Sequence, residues 1–197
     1  MLSAKKFIVL VLLLCTASMT QAESFFRVRG LQVSPLLFEG SEQGKYDVSN
    51  ETVDLGTKGQ GFLVSLGFLG LGSFLQTTTI TAGELVYKLT SNSADGALVF
   101  GELPSFTLGG GVMTGGEGVA TYLGNQYTSK SVSGTNWFFL AGFEYEVPLP
   151  ILPTIEAIVG YRENRLTFKD FSSGSNTLNN IVKIKTVQYL FGFGMVF

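Results

Sequence analysis

Large apolar residues recur at every second position along several stretches of the chain. In the segment NWFFLAGFEYEV, Trp137, Phe139 and Phe143 alternate with a face that includes Gly142 and Glu144. The same period occurs in the segments GFLVSLGFLG, SFTLGGGVMTG, TIEAIVGYREN and VQYLFGFGMVF. Because successive side chains of a strand point to opposite sides, a period of two predicts β-strands with two different faces.

The face opposite the apolar one carries glycine, small polar residues and a few charges. It has too few charges for the water-exposed surface of a soluble barrel, and it is too polar for an ordinary core. Lipid outside and a packed, partly polar lumen satisfy both faces, and closure satisfies the backbone groups of the edge strands. The pattern predicts an all-β, antiparallel up-and-down transmembrane β-barrel. The alternative is a buried terminal strand in a soluble sandwich.

Polar segments of alternating length separate the predicted strands. Residues 39–60 and 115–135 are long, whereas GLG at 70–72 and PLPILP at 148–153 are tight. Long loops on one side and short turns on the other are typical of outer-membrane barrels. Eight strands of about 9–11 residues fit the chain. Residues 73–105 admit more than one division into strands, and ten strands are the alternative.

The start of the chain has the layout of a secretory signal peptide. Lys5 and Lys6 precede an apolar run, and small residues lead to Ala22. The run is shorter than the roughly 20 apolar residues that a membrane-spanning helix needs. We expect cleavage after Ala22, which makes residues 1–22 a signal peptide and residues 23–197 an outer-membrane β-barrel domain.

Composition excludes several classes of function. Cleavage would remove two of the 13 basic residues and none of the 15 acidic ones, leaving a net charge of −4. A mildly acidic chain without a basic cluster is not expected to bind nucleic acid. The chain has no histidine, which rules out a Ser–His nucleophile and restricts metal sites to carboxylates. We expect no enzymatic activity and no cofactor.

The few charges within the predicted strands indicate a charged cluster in the lumen. Three carboxylates flank the PLPILP turn on lumen-facing positions, and three arginines could neutralise them; the six residues are Glu144, Glu146, Glu156, Arg27, Arg29 and Arg162. Leu31 and Val33 fall on the same side of the strand as Arg27 and Arg29. A β-bulge at Gly30 is therefore needed if the arginines face the lumen and Leu31 and Val33 face lipid. The alternative is that these two arginines precede the barrel in the periplasm.

The signal peptide, the chain length, the alternating strands and the final segment GFGMVF resemble the small outer-membrane β-barrel proteins of Gram-negative bacteria. These include the OmpA transmembrane domain and the OmpX/Ail and OmpW groups. The final aromatic residue, with apolar residues at alternate positions before it, is similar to the C-terminal signal that the barrel-assembly machinery reads in that family. On this resemblance the signal comprises Tyr189, Phe191, Phe193, Met195 and Phe197.

The resemblance implies a monomer in the outer membrane, in contact with membrane lipid and lipopolysaccharide and with both termini in the periplasm. Two functions follow. The first is a structural or surface-interaction protein with a plugged lumen, whose loops at 39–58, 115–134 and 169–182 contact other cells, host molecules or lipopolysaccharide. The second is a narrow channel or transporter for small apolar compounds, which the glycine-rich faces at 61–67 and 109–111 favour. An eight-stranded interior is normally filled by side chains, which favours the first.

Overall fold

The structure is a computed structural model that describes residues 26–34, 54–101, 104–145, 153–174, 176–178 and 181–197. Within these ranges the side chains of residues 32–34, 54–55, 82 and 176–178 are not described. The predicted signal peptide, most of the first long loop and most of PLPILP therefore lie outside the described residues. No helix within these ranges is long and apolar enough to cross a membrane.

Eleven strands in the described part of the chain form one antiparallel sheet. Eight long strands build the barrel wall: β1 (Phe26–Ser34), β2 (Asp54–Leu66), β3 (Leu69–Ala82), β4 (Leu85–Phe100), β5 (Ser105–Tyr122), β7 (Ser131–Tyr145), β8 (Thr154–Lys169) and β11 (Val182–Val196). Three short strands extend the sheet at one end of the wall: β6 (Asn125–Ser129), β9 (Phe171–Ser173) and β10 (Asn176–Leu178).

The wall closes on itself. Its order is β1-β2-β3-β4-β5-β7-β8-β11, and β1 pairs with β11 along eight residues. At the end of this pair Phe26 and Phe197 exchange two backbone hydrogen bonds, with N to O distances of 3.2 and 2.9 Å. Closure supplies every wall strand with two neighbours, as a sheet in lipid requires. The predicted eight-stranded antiparallel barrel is confirmed.

At one end of the barrel β1 begins and β11 ends, whereas the longest connection between wall strands, residues 35–53, starts and finishes at the other end. Gly67 and Phe68 join β2 to β3, and Gly67 has a φ of +56°, which glycine adopts without steric cost. The turn predicted at 70–72 was wrong, because those residues already belong to β3. The longer loops of outer-membrane barrels are extracellular. We therefore call this end, where β1 begins and β11 ends, the periplasmic end.

The opposite, extracellular end extends beyond the wall. Residues 115–134, predicted to be a loop, instead continue β5 to Tyr122 and return as β6, so that prediction was wrong. Glycine, serine and threonine are common in loops, but here two paired strands satisfy each other's backbone groups. Residues 73–105 form most of β3 and all of β4, and the β4–β5 pairing shifts register between Asn92 and Ser93.

The outer face of the wall is apolar and aromatic. Trp137, Phe139, Phe143 and Tyr145 of β7 are exposed, whereas the intervening Phe138 is buried. From Tyr145 to Trp137 the outward positions rise by about 20 Å, given eight steps of about 3.4 Å at a strand tilt of about 40°. That height is close to the apolar band of about 25 Å in outer-membrane barrels. A closed wall with this surface is suited to lipid.

Four layers of side chains occupy the lumen. The layer nearest the periplasm contains arginine and glutamate, and the next is an apolar cluster: Leu31, Leu63, Phe74, Ala97, Phe138, Leu140, Ile158 and Leu190. A polar layer follows: Gln76, Ser93, Asp95, Arg162, Asn164 and Gln188. A second apolar cluster lies towards the extracellular end: Ile80, Tyr87, Leu89, Ala120, Leu166, Phe168, Phe171, Val182 and Ile184.

Inward-facing glycines make room for two aromatic rings of the first apolar layer. A Cβ added at Gly61 would collide with the ring of Phe74, and one added at Gly109 would collide with the ring of Phe138. The two rings pack against each other with centroids 5.5 Å apart. These glycines of the lumen face therefore receive aromatic rings from neighbouring strands.

Gly109→Ala should lower the free energy of unfolding by about 1–3 kcal/mol, because its methyl group would push Phe138 out of its place. Gly115→Ala is the matched control on the same strand, since nothing lies within 4 Å of an added Cβ there. The control should be neutral or stabilising by up to about 1 kcal/mol. Urea unfolding in lipid vesicles measures both, and equal stabilities would contradict the packing described.

Candidate functional site in the barrel lumen

The most extensively hydrogen-bonded ion pair among the described residues of the lumen is that of Arg29 and Glu156, whose side chains are 1% and 0% exposed. Arg29 Nε donates to Glu156 Oε2 at 2.6 Å, and Nη2 donates to Oε1 at 2.7 Å. Arg29 Nη1 also donates to Thr107 Oγ1 at 2.6 Å. Ser105 Oγ donates to Glu156 Oε1 at 2.5 Å and accepts from Arg29 Nη2 at 3.1 Å. Two-point arginine–carboxylate pairing is the strong form of this interaction.

The pairing register brings these two side chains together across β11. Arg29 of β1 lies opposite Gly194 of β11, and Gly194 lies opposite Glu156 of β8. A Cβ added at Gly194 would lie 2.9 Å from Glu156 Oε2 and 3.0 Å from Arg29 Cγ. On the other flank, a Cβ added at Gly142 would collide with Glu156 and Ser105. Two glycines thus leave the space that the ion pair occupies.

A second ion pair lies closer to the periplasmic mouth. Arg27 Nη2 is 2.9 Å from Glu144 Oε1, and both side chains are largely shielded from solvent. Glu144 and Glu156 lie directly opposite each other on β7 and β8, a like-charge arrangement that is unfavourable by itself. Arg27 and Arg29 each meet one of these glutamates. Glu146, the third predicted carboxylate, lies outside the described residues.

Arg162 belongs to a different layer from the two ion pairs. Its Nη1 donates to Gln76 Oε1 at 3.1 Å, and its guanidinium carbon lies 4.2 Å from the centre of the Phe74 ring. Its Nη2 donates to Ser93 Oγ at 3.3 Å, and Ser93 donates to Asp95 Oδ2 at 2.5 Å. Arg162 follows Glu156 by six residues on β8, about 20 Å along the strand. The structure therefore separates it from the glutamates with which the sequence grouped it.

The polar layer around Arg162 was not predicted from the sequence. Asn164 Nδ2 donates to Gln76 Oε1 at 3.0 Å and to Gln188 Oε1 at 2.8 Å, which joins three strands. Asp95 was not recognised because the division of residues 73–105 into strands was open. Once β4 is assigned, Asp95 falls on the same buried face as Ser93 and Ala97, and this would have indicated a lumen position for Asp95.

The β-bulge predicted at Gly30 is wrong. β1 pairs with β2 and with β11 without a register shift over its described length. Leu31 shares the inward face of Arg27 and Arg29 and packs in the first apolar layer. The bulge followed from assuming that apolar residues of β1 face lipid. The alternative position of both arginines before the barrel is also wrong, because they lie within β1 and are buried.

The residues of the predicted assembly signal share the outward face of β11. Phe193, Met195 and Phe197 are exposed, and Tyr189 and Phe191 are half-buried among neighbouring outward side chains. The Phe197 ring lies 6.1 Å from the Phe26 ring of β1, at the seam where the barrel closes. Their place on the lipid-facing side is a structural fact, and their role in assembly stays a prediction.

A closed antiparallel wall, an aromatic outer face and two ion pairs buried in the lumen together describe a protein built for lipid. The chain is an eight-stranded β-barrel of the outer-membrane type. Among the described residues, no group of three or more His, Cys, Asp or Glu side chains could hold a metal ion. In the charged layer, Glu156 pairs with Arg29 and Glu144 pairs with Arg27.

No family model matches the sequence, and no curated protein is significantly similar to it. Neisserial surface protein A (NspA) is similar with a TM-score of 0.44 and 13% identity over 89% of this chain and 98% of that one. The outer membrane protein OprG from Pseudomonas aeruginosa is similar with a TM-score of 0.41 and 16% identity. That match covers 88% of this chain and 96% of that one.

The translocator domain of the autotransporter NalP from Neisseria meningitidis is similar with a TM-score of 0.39 and 13% identity. That match covers 98% of this chain and 69% of that one. At such values the likeness does not extend to function.

Glu156→Gln should lower the free energy of unfolding by about 3–5 kcal/mol, because Arg29 would be left buried without its counter-ion. Glu84→Gln is the control, since Glu84 is exposed in the turn between β3 and β4; its effect should stay within about 0.5 kcal/mol. The double variant Arg29→Met/Glu156→Leu should recover most of the loss. Urea unfolding in lipid vesicles checks all three. A Glu156→Gln barrel as stable as Glu84→Gln would refute the assignment.

Proposed function

We propose that this barrel is a surface-interaction protein of the outer membrane, with a lumen closed to solutes and a contact surface on its extracellular hairpin. The observation that carries the proposal is the backbone conformation and the exposure of the residues at the tip of the β5–β6 hairpin. Leu123 there has a φ of +48° and Gly124 one of +78°. Tyr122 and Leu123 are both exposed, Leu123 to 63%.

The conformation of Leu123 supports a role in contact. A left-handed backbone costs a non-glycine residue of this kind about 1–2 kcal/mol, and asparagine or glycine would avoid most of that cost. Leu123 also leaves an aliphatic side chain in water at the end of the hairpin. Leu123 is both strained and exposed, and folding requires neither property. The combination favours a functional reason for leucine at this position.

The reach of the hairpin supports the same role. Val112 is the last large apolar residue on the outward face of β5 before the extracellular extension. From Val112 to Leu123 the chain advances by eleven residues, about 30 Å at the tilt of the wall. Tyr122 and Leu123 would therefore stand clear of the headgroups, where another surface can meet them.

The packing of the lumen supports the closed barrel. A hydrated solute would have to pass the Arg29–Glu156 pair and then two layers of buried aliphatic and aromatic side chains. The glycines that suggested a channel lie against the rings of Phe74 and Phe138. Eight-stranded interiors are generally wide enough only for their own side chains.

Leu123→Asn tests the contact surface. It removes the exposed aliphatic group and relieves the left-handed strain, so we expect stability to be unchanged or higher and adherence to be reduced. Bacteria that display each variant are scored for self-aggregation and for adherence to epithelial cell layers. Glu84→Asn, in the other short extracellular turn, should adhere like the unaltered protein. Unchanged adherence of Leu123→Asn would remove the hairpin tip as the contact surface.

Planar-bilayer recording tests the closed lumen. The purified barrel should give no stable conductance steps, because the two ion pairs and the two apolar layers leave no continuous aqueous path. Gly109→Ala, which disturbs one layer only, should behave in the same way. Reproducible single-channel steps from the unaltered protein would favour the alternative, a narrow channel for small compounds.

A further inference from the structure

An aromatic ladder crosses three strands on the outer face of the barrel. The Tyr161 ring of β8 lies 5.1 Å from the Trp137 ring of β7 and 6.3 Å from the Tyr189 ring of β11. Tyr189 stands about 20 Å above Phe197 along the membrane normal, at the upper edge of the apolar band. Tryptophan and tyrosine are enriched at this level because their rings are apolar and their polar groups can reach water.

A charged cluster lies directly above the ladder on β8 and β11. Glu163 Oε1 accepts from Arg165 Nε at 3.0 Å and lies 3.0 Å from Arg165 Nη2 and 3.4 Å from Lys185 Nζ. Lys185 stands about 30 Å above Phe197, which is the level of the lipid headgroups. The side chain of Glu163 is 10% exposed, whereas those of Arg165 and Lys185 are 69% and 47% exposed.

The arrangement of these charges leaves a positive surface. Arg165 and Lys185 lie directly opposite each other across the β8–β11 pair, and like charges in that position are unfavourable. One carboxylate offsets one of the two cations. Lys183, two residues before Lys185 on β11, lies on the same outward face. The cations therefore present a net positive charge to an anion at headgroup level.

We propose that Arg165 and Lys185 bind a phosphate group of an outer-leaflet glycolipid whose acyl chains lie on Trp137, Tyr161 and Tyr189. A guanidinium and an ammonium side by side suit a phosphate through charge-assisted hydrogen bonds. The lipid is identified by the depth of the cations and by the apolar surface directly below them. The inference deepens the proposed function, on whose outer-membrane orientation it rests, by naming a lipid partner for the wall.

Lipid binding to the full chain in zwitterionic detergent tests the proposal. Fluorescent lipid A with two phosphates is titrated against the unaltered barrel and against Lys185→Gln and Arg165→Gln. Each variant should weaken binding about tenfold, as should removal of the phosphates from lipid A. Lys88→Gln is the matched control, because Lys88 is an exposed cation at a similar height on β4, on the far side of the wall. It should bind like the unaltered protein.

Heat-modifiable migration on gels shows that each variant is folded before binding is compared. Equal affinity for lipid A and its dephosphorylated form would overturn the proposal, as would an equal loss in Lys88→Gln. Competition by millimolar inorganic phosphate would assign the site to free phosphate, and equal binding of phosphatidylglycerol would overturn the choice of a glycolipid. Bilayer conductance and cell adherence do not depend on Lys185, so they report separately on the proposed function.

Discussion

Closure of the barrel between β1 and β11 is the constraint on which the rest of the structure depends. In hydrocarbon, each unpaired backbone group costs several kcal/mol, so the first and last strands must pair. The register of that pair turns Phe26 and Val28 outward and Arg27 and Arg29 inward. Once the barrel is closed, two arginines are committed to the lumen, and the lumen must neutralise them.

The lumen neutralises these arginines through the positions of its glycines as well as through the charges of its glutamates. Glu156 reaches Arg29 only because Gly194 separates them on β11 and Gly142 leaves space on β7. A slip of one residue in the β1–β11 register would turn Arg29 towards lipid. The ion pair therefore penalises the wrong register strongly, even though a well-packed apolar pair could be equally stable.

The sequence was most informative where both faces of a strand were distinct. Period two predicted the barrel, and the lumen positions of Glu144 and Glu156 followed from their apolar neighbours on β7 and β8. The prediction from the sequence failed where the lumen itself is apolar, because Leu31 was assigned to the lipid-facing side by its chemistry alone. Asp95 and the hairpin at 115–134 were missed for a related reason: small polar residues are common both in loops and in strands that face a lumen, and only pairing separates the two.

The outer surface gives the most direct test of the account, because Trp137 is the single tryptophan of the chain and faces outward from the aromatic ladder. In vesicles whose lipids carry bromine, its fluorescence should be quenched strongly. Bromine near the glycerol end of the acyl chains should quench more than bromine at the chain ends, and aqueous iodide should quench little. Strong quenching by iodide with none by brominated lipid would place Trp137 in water and contradict the lipid-facing barrel.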